Sequence, residues 1–210
     1  VVLMLKSLGI DDLLHFDFMD RPPAETLMRA LEQLYALGAL NDRGEMTKLG
    51  RRMAEFPLDP MMSKAVIASE QYGCTKEVLT IVSMLSIGSS IFYRPKEKAV
   101  HADNARMNFA RGGGGDHLAL MRVYDQWLET GHSVQWCFEN YLQHRLLYKA
   151  RDVREQLYGL CERVEIDAEV STSDPEAICK AMTAGYFYNT ARLDRTGGYK
   201  TTKQQHTVYI

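Results

Sequence analysis

The sequence lacks the arrangements that would mark a metal centre, a nucleotide cradle or a membrane span. Its four cysteines, Cys74, Cys137, Cys161 and Cys179, stand far apart, with no Cys-x-x-Cys pair and no histidine at ligand spacing. A zinc ion would find nothing converging on it, so the thiols read as free and buried, in a reducing compartment. No apolar run approaches the ~20 residues that cross a bilayer, and Val1 to Leu5 is too short for a secretion signal. The chain opens without Met, as a fragment of a longer protein would. There is no Gly-x-Ser-x-Gly elbow. The glycine run Gly112 to Gly115 ends in Asp116 instead of Gly-Lys-Ser/Thr. An acidic residue there repels phosphate, and the run reads as a flexible turn ahead of a helix.

Charge of one sign is also missing. With 25 basic and 27 acidic residues the formal net charge is -2, which exerts no overall pull on nucleic acid; any such affinity needs a local patch. What is present is apolar content: 46% of 210 residues, enough for one substantial core or two modest ones.

The periodicity is mostly helical. Val1 to Leu8 forms a short apolar helix closed by Gly9. Pro22-Pro23 suits a first helical turn, and Leu27, Ala30, Leu31, Leu34 and Tyr35 follow at helical spacing up to Leu37, with Gly38 as the stop. Ala39-Leu40 and Glu45-Met46 read as two very short strands around Asn41-Asp42-Arg43-Gly44. Thr47 caps a helix from Lys48 to Phe56, and Pro57 and Pro60 punctuate a boundary. Helix, helix, small β-wing, helix is a winged-helix pattern.

Beyond Asp59 the reading is all helix: Met61 to Tyr72, Thr75 to Ile87 with Thr75 as cap, a looser stretch over Phe92 to Lys98, and His117 to Glu129 capped by Asp116. A helix capped by Ser133 carries Trp136, Phe138 and Tyr141. A long amphipathic helix runs from Gln143 to Val164 with Leu146, Ala150, Val153, Leu157, Leu160 and Val164 inward, and a last one runs from Pro175 toward Leu193. After a turn at Thr196-Gly197-Gly198, Tyr199 to Ile210 is strand-like. A lone hairpin buries little, so this end reads as the start of a truncated β domain.

Candidate chemistry is sparse. The histidines at 15, 101, 117, 132, 144 and 206 lack sequence partners apart from Asp116 beside His117, which reads as a local hydrogen bond at a helix start. Arg145, Lys149, Arg151 and Arg154 form a basic group on the long helix, with Arg145 and Lys149 one turn apart. Interleaved Asp152, Glu155 and Glu162 leave two readings open, a salt-bridged solvated face or a positive rung toward an RNA backbone. Trp127, Trp136, Phe138 and Tyr141 read as core more than as a base-stacking platform.

Asp17 to Pro23 with Ala30 to Leu40, then Thr47 to Gly50 with Met53 to Pro60, resemble the winged-helix segment of DEAH-box RNA helicases. Phe92-Tyr93-Arg94-Pro95, Gly115-Asp116-His117-Leu118 and Trp136-Cys137 resemble that family's ratchet-like domain. Ala184 to Phe187 and Gly198-Tyr199 resemble the start of its oligonucleotide-binding (OB-fold) barrel. Val153 to Leu157 and Tyr186 to Leu193 look closest to the spliceosomal member that remodels the activated spliceosome before the first splicing step.

The resemblance implies a mainly α chain: winged helix over 1–58, ratchet-like bundle over 59–193, and a truncated OB-fold segment over 194–210. It also implies a noncatalytic module of a nuclear ATP-dependent helicase, with ATP and Mg²⁺ held by RecA-like motor domains that would lie before Val1. Implied partners are single-stranded pre-mRNA, a G-patch activator protein docked on the winged helix, other spliceosome components and the motor domains. The implied RNA contacts are Arg145, Lys149, Arg151 and Arg154, with Gly113, Gly114, Gly115, Asp116 and His117 bordering the channel; no membrane is involved. Two rivals stand beside this reading. A free-standing winged-helix DNA binder is disfavoured, since Pro23 to Leu37 carries only Arg29 against Glu25 and Glu32. A protein-binding helical scaffold without RNA contact suits the near-neutral charge equally.

Overall fold

Gly38 and Asn41 shape the best-defined local motif near the start of the chain. Gly38 takes a φ of 79° past the end of a helix, and the Asn41 Oδ1 accepts from the backbone N–H of Arg43 at 3.0 Å and of Glu45 at 2.9 Å. The side chain thus mimics a backbone turn and closes the wing. The computed structural model describes residues 1–88, 90–195 and 197–209. Its elements are α1 (Val2–Ser7), α2 (Ala24–Ala36), α3 (Lys48–Ala54), α4 (Pro60–Tyr72), α5 (Thr75–Ser86), α6 (Ala99–Ala110), α7 (Gly115–Glu129), α8 (Val134–Glu139), α9 (His144–Arg163) and α10 (Pro175–Tyr186). Three short strands follow: β1 (Ala191–Leu193), β2 (Tyr199–Thr201) and β3 (Thr207–Val208). The chain is mostly helical, as read from its periodicity. It forms two compact units, Val1–Ala68 with the stretch from Ala181 onward, and Ser69–Lys180.

In the first unit α1 packs on α2 and α3, burying Leu3, Leu13, Leu27, Leu34, Leu37, Met53 and Phe56. The wing is a single antiparallel bridge between Leu40 and Met46. Thr47 caps α3 as expected, accepting from the Gly50 N–H at 3.0 Å while donating to the Gly38 carbonyl at 2.6 Å. Gly50 is required by proximity: a Cβ there would overlap the Ala39 carbonyl oxygen. The C-terminal strands make one antiparallel sheet in the order β1-β2-β3, pairing Ala191 with Thr201 and Tyr199 with Val208. The expected final helix stops at Tyr186, and a short 3-10 turn over Phe187–Asn189 leads into β1. Leu193 is therefore a strand residue, because Thr190 turns to the extended region with φ -67° and ψ 142°. Of the expected turn and strand-like end, Thr196 and Ile210 lie outside the described residues.

In the second unit α5 is central. Eight of its residues, Thr75 and Val78 to Met84, are buried, and it packs against both α7 and α9. Two of its buried hydroxyls bond back to their own helix, Thr80 to the Lys76 carbonyl at 3.1 Å and Ser83 to the Thr80 carbonyl at 2.8 Å, whereas the buried Thr75 hydroxyl has no hydrogen-bond partner among the described residues. The core joins Met84, Ile87 and Ile91 to Phe109, Val123, Trp127, Leu142 and Leu147. The inward stripe of α9 is set by Leu147, Ala150, Leu157, Cys161 and Val164, with Leu146, Val153 and Leu160 only half-buried. Three caps differ from expectation. Cys74, not Thr75, holds the cap position of α5, with Thr75 already helical and buried. Gly114, at φ 79°, holds that of α7, so Asp116 lies inside the first turn. Pro23, read as part of the first helical turn, instead holds the cap position of α2.

Candidate nucleic-acid interface

The basic group of α9 divides into two pairs. Arg145 and Lys149 are exposed, one turn apart, and continue outward into Asp152 and Gln156 at helical spacing. Neither pairs with a carboxylate among the described residues. Arg145 lies in the first turn of a 20-residue helix that has no acidic residue there. Its charge adds to the positive end of the helix dipole, an arrangement unfavourable in isolation and favourable toward an anion.

Arg151 and Arg154 are occupied otherwise. Arg151 pairs with Asp152 at 2.9 Å and Glu155 at 3.8 Å, and its guanidinium lies 5.1 Å from the centre of the Tyr148 ring. Arg154 is turned toward α5 and α7: its Nε donates to Thr80 Oγ1 at 3.0 Å, and the guanidinium lies 5.9 Å from the Tyr124 ring centre. The four basic residues thus form no single positive face, because a stripe at i, i+4 on a helix excludes positions i+6 and i+9.

The Gly113 to His117 loop is anchored. Arg122, two turns into α7, donates to the Gly113 carbonyl at 3.1 Å and to the Phe109 carbonyl at 2.9 Å. Three successive glycines, Gly113 to Gly115, adopt positive φ, and a Cβ at Gly114 would overlap Leu118. Asp116 faces Arg106 at 3.6 Å, and burial holds the His117 imidazole below its ordinary value of 6.5 despite the neighbouring Asp116 carboxylate. The loop side chains therefore bring no positive charge at neutral pH; backbone groups are what it presents. Arg122 was not singled out by sequence, although its place two turns after a glycine run is the available signal.

The aromatic group also divides. Trp127 is fully buried, edge-on to Tyr124, Tyr148 and His132. Phe138 is 55% exposed, so the expectation of a core role fails for it: α8 is only six residues long and turns that position outward.

Residues 30–58 match the family described as helicase associated domain (HA2), winged-helix, and residues 59–120 the one described as helicase associated domain (HA2), ratchet-like. Over residues 30–120 the chain is similar to HA2 modules. These are noncatalytic, helicase-associated domains typical of the C-terminal region of DEAH and RHA helicases, whose motor activity is ATP-dependent. The HA2 winged helix holds the Asn41 turn and the Thr47 cap, and the HA2 ratchet match runs from α4 through the glycine loop into α7. Both matches end before α9, so the exposed pair Arg145 and Lys149 stands on geometry alone.

Proposed function

We propose that this chain is the accessory part of an ATP-dependent RNA helicase of pre-mRNA splicing, working in the nucleus, and that the outer face of the first turns of α9 meets the backbone of single-stranded RNA. The observation that carries this is the placement of Arg145 and Lys149, exposed and free of carboxylates at the positive end of a long helix. A grip on phosphates without base readout suits a translocating machine. In this reading ATP and Mg²⁺ belong to RecA-like motor domains elsewhere in the protein, and the HA2 modules couple their cycle to movement of the strand. The splicing assignment rests on the motifs Val153 to Leu157 and Tyr186 to Leu193.

A second observation favours protein docking on the winged helix. Met4 on α1 and its two flanking cap residues Val1 and Leu8 are 58%, 91% and 72% exposed, and α2 exposes Met28 and Tyr35. Such apolar surface fits an amphipathic G-patch activator segment.

The test is the anisotropy of a labelled oligouridine titrated with the chain at several salt concentrations, beside duplex DNA. Salt-dependent binding that prefers the single strand is expected, and reversing both charges, Arg145→Glu with Lys149→Glu, should lower the logarithmic salt slope by about 1.4, at ~0.7 per phosphate contact. Unchanged RNA binding in that variant would remove α9 from the interface and leave the scaffold reading.

A further inference from the structure

A second surface of the Ser69–Lys180 unit has the chemistry of a peptide groove. The segment 91–93 is locked antiparallel to 141–143: Tyr93 N–H donates to the Tyr141 carbonyl at 3.0 Å, Gln143 N–H donates to the Ile91 carbonyl at 2.9 Å, and Phe92 bridges Leu142. Tyr141 takes a φ of 56°, unusual for an aromatic residue. This rung holds the Tyr93 and Tyr141 rings 5.7 Å apart, tilted by 56°. With Phe138, Pro95 and the residues up to Lys98 they line an open cleft of about 510 Å³.

We propose that this cleft binds an extended, proline-rich protein segment bearing acidic flanks. A polyproline II strand has a rigid, left-handed form of three residues per turn, and its rings dock between fixed aromatic side chains with little ordering entropy to lose. Here the platform is fixed beforehand by main-chain bonds, and Phe138 projects as the exposed anchor. Lys96 and Lys98 flank the cleft on either side of Glu97, leaving one net positive charge at its edge. Both are exposed, and neither pairs with a carboxylate among the described residues. The pair selects glutamate or aspartate beside the prolines. Nothing in the HA2 assignment requires this surface, and neither Arg145 nor Lys149 lines it.

The experiment titrates the whole chain into a fluorescein-labelled octaproline flanked by glutamates, with a glycine-serine peptide carrying the same flanks as control and oligouridine as competitor. Saturable binding of the proline peptide alone is expected. Phe138→Ala should weaken it about tenfold or more. Because that side chain is already exposed, the melting temperature should not move. Lys96→Glu with Lys98→Glu should shift preference to a lysine-flanked octaproline. Equal binding of the glycine-serine control, indifference to Phe138→Ala, or no binding of the proline peptide overturns the proposal. Displacement of the peptide by oligouridine with the same loss in Phe138→Ala would make the cleft a base-stacking platform and overturn it equally.

Discussion

The Lys6 ammonium donates to the Gly44 carbonyl oxygen at 2.8 Å, joining α1 to the tip of the wing 38 residues later. It also donates to the Asp11 carbonyl at 2.9 Å and faces the Asp11 carboxylate at 3.5 Å, while only 7% of the residue is exposed. A buried lysine is tolerable only with acceptors on its hydrogens, and Lys6 has three. Lys6→Ala leaves two carbonyls without their donor and should cost about 2–3 kcal/mol, read as a lowered urea midpoint at unchanged slope. Lys6→Met should recover the packing of the stem but not the wing tether.

Gly50 makes a sharper case of intolerance. Its φ is ordinary, and the constraint is the Ala39 carbonyl lying where a Cβ would go, with the Met46 sulfur close behind. Backbone cannot step aside as a flexible side chain can. Gly50→Ala, normally favourable in a helix by ~1 kcal/mol, should instead destabilise by about 2 kcal/mol or more. Thermal melting of the variant measures the sign.

Arg94 and Asp103 form a two-point ion pair, Nε to Oδ1 at 2.7 Å and Nη2 to Oδ2 at 2.9 Å. The hydrogen bonds from Arg94 hold the Asp103 carboxyl below its ordinary 3.8. A lowered folded value means stabilisation present in full above 3.8 and lost as pH falls through the folded value. The pair is solvent-exposed, so the effect is small. Asp103→Asn should melt slightly below the unaltered chain at neutral pH, and the gap should close on acidification toward about pH 2. A gap independent of pH would mean that the ion pair adds nothing.

Burial raises the thiols of Cys74 and Cys161 to about 11 and that of Cys137 upward as well. At about pH 8 these thiols are protonated and covered, hence poor nucleophiles. A disulfide exchange reagent should leave all three unmodified in the native chain, with labelling only through opening of the fold. Rapid native labelling of Cys161 would contradict its place in the core.

The winged-helix unit was legible because its signals are local: prolines before α2, Gly38 after it, Asn41 in the turn and Thr47 three residues before the N–H it caps. Helix α6 was not, since its buried positions are Ala102, Ala105 and Phe109. Two alanines and one phenylalanine among polar neighbours give no apolar stripe to read. The caps at α5 and α7 were misplaced because Thr75 and Asp116 are good capping types one and two residues too late, while Cys74 and Gly114 carry the non-helical backbone. The basic group on α9 was visible as composition. Its division into an exposed pair and an engaged pair depends, for Arg154, on Thr80 and Tyr124 from other helices, which no spacing rule connects to it, whereas the partners of Arg151, Tyr148 and Glu155, stand at i−3 and i+4 on α9 itself. Arg154→Ala should accordingly lower stability by about 1 kcal/mol through lost contact with Thr80 and Tyr124. Its salt slope for RNA should stay unchanged, unlike that of the Arg145 and Lys149 variant.

The rung between Phe92 and Leu142 also bears on how the chain reaches this structure. It closes a loop of about 50 residues, an entropic cost on the order of 3 kcal/mol for a free chain. The pairing of α5 with α7 falls within a shorter span and shrinks the loop left to close, so the rung is expected to complete after the helices around it have met. Truncating Leu142, fully buried at the rung, should then steepen the rise of the unfolding rate far more than it slows refolding. The two tyrosines beside it would be the last part of this unit to settle and the first to loosen.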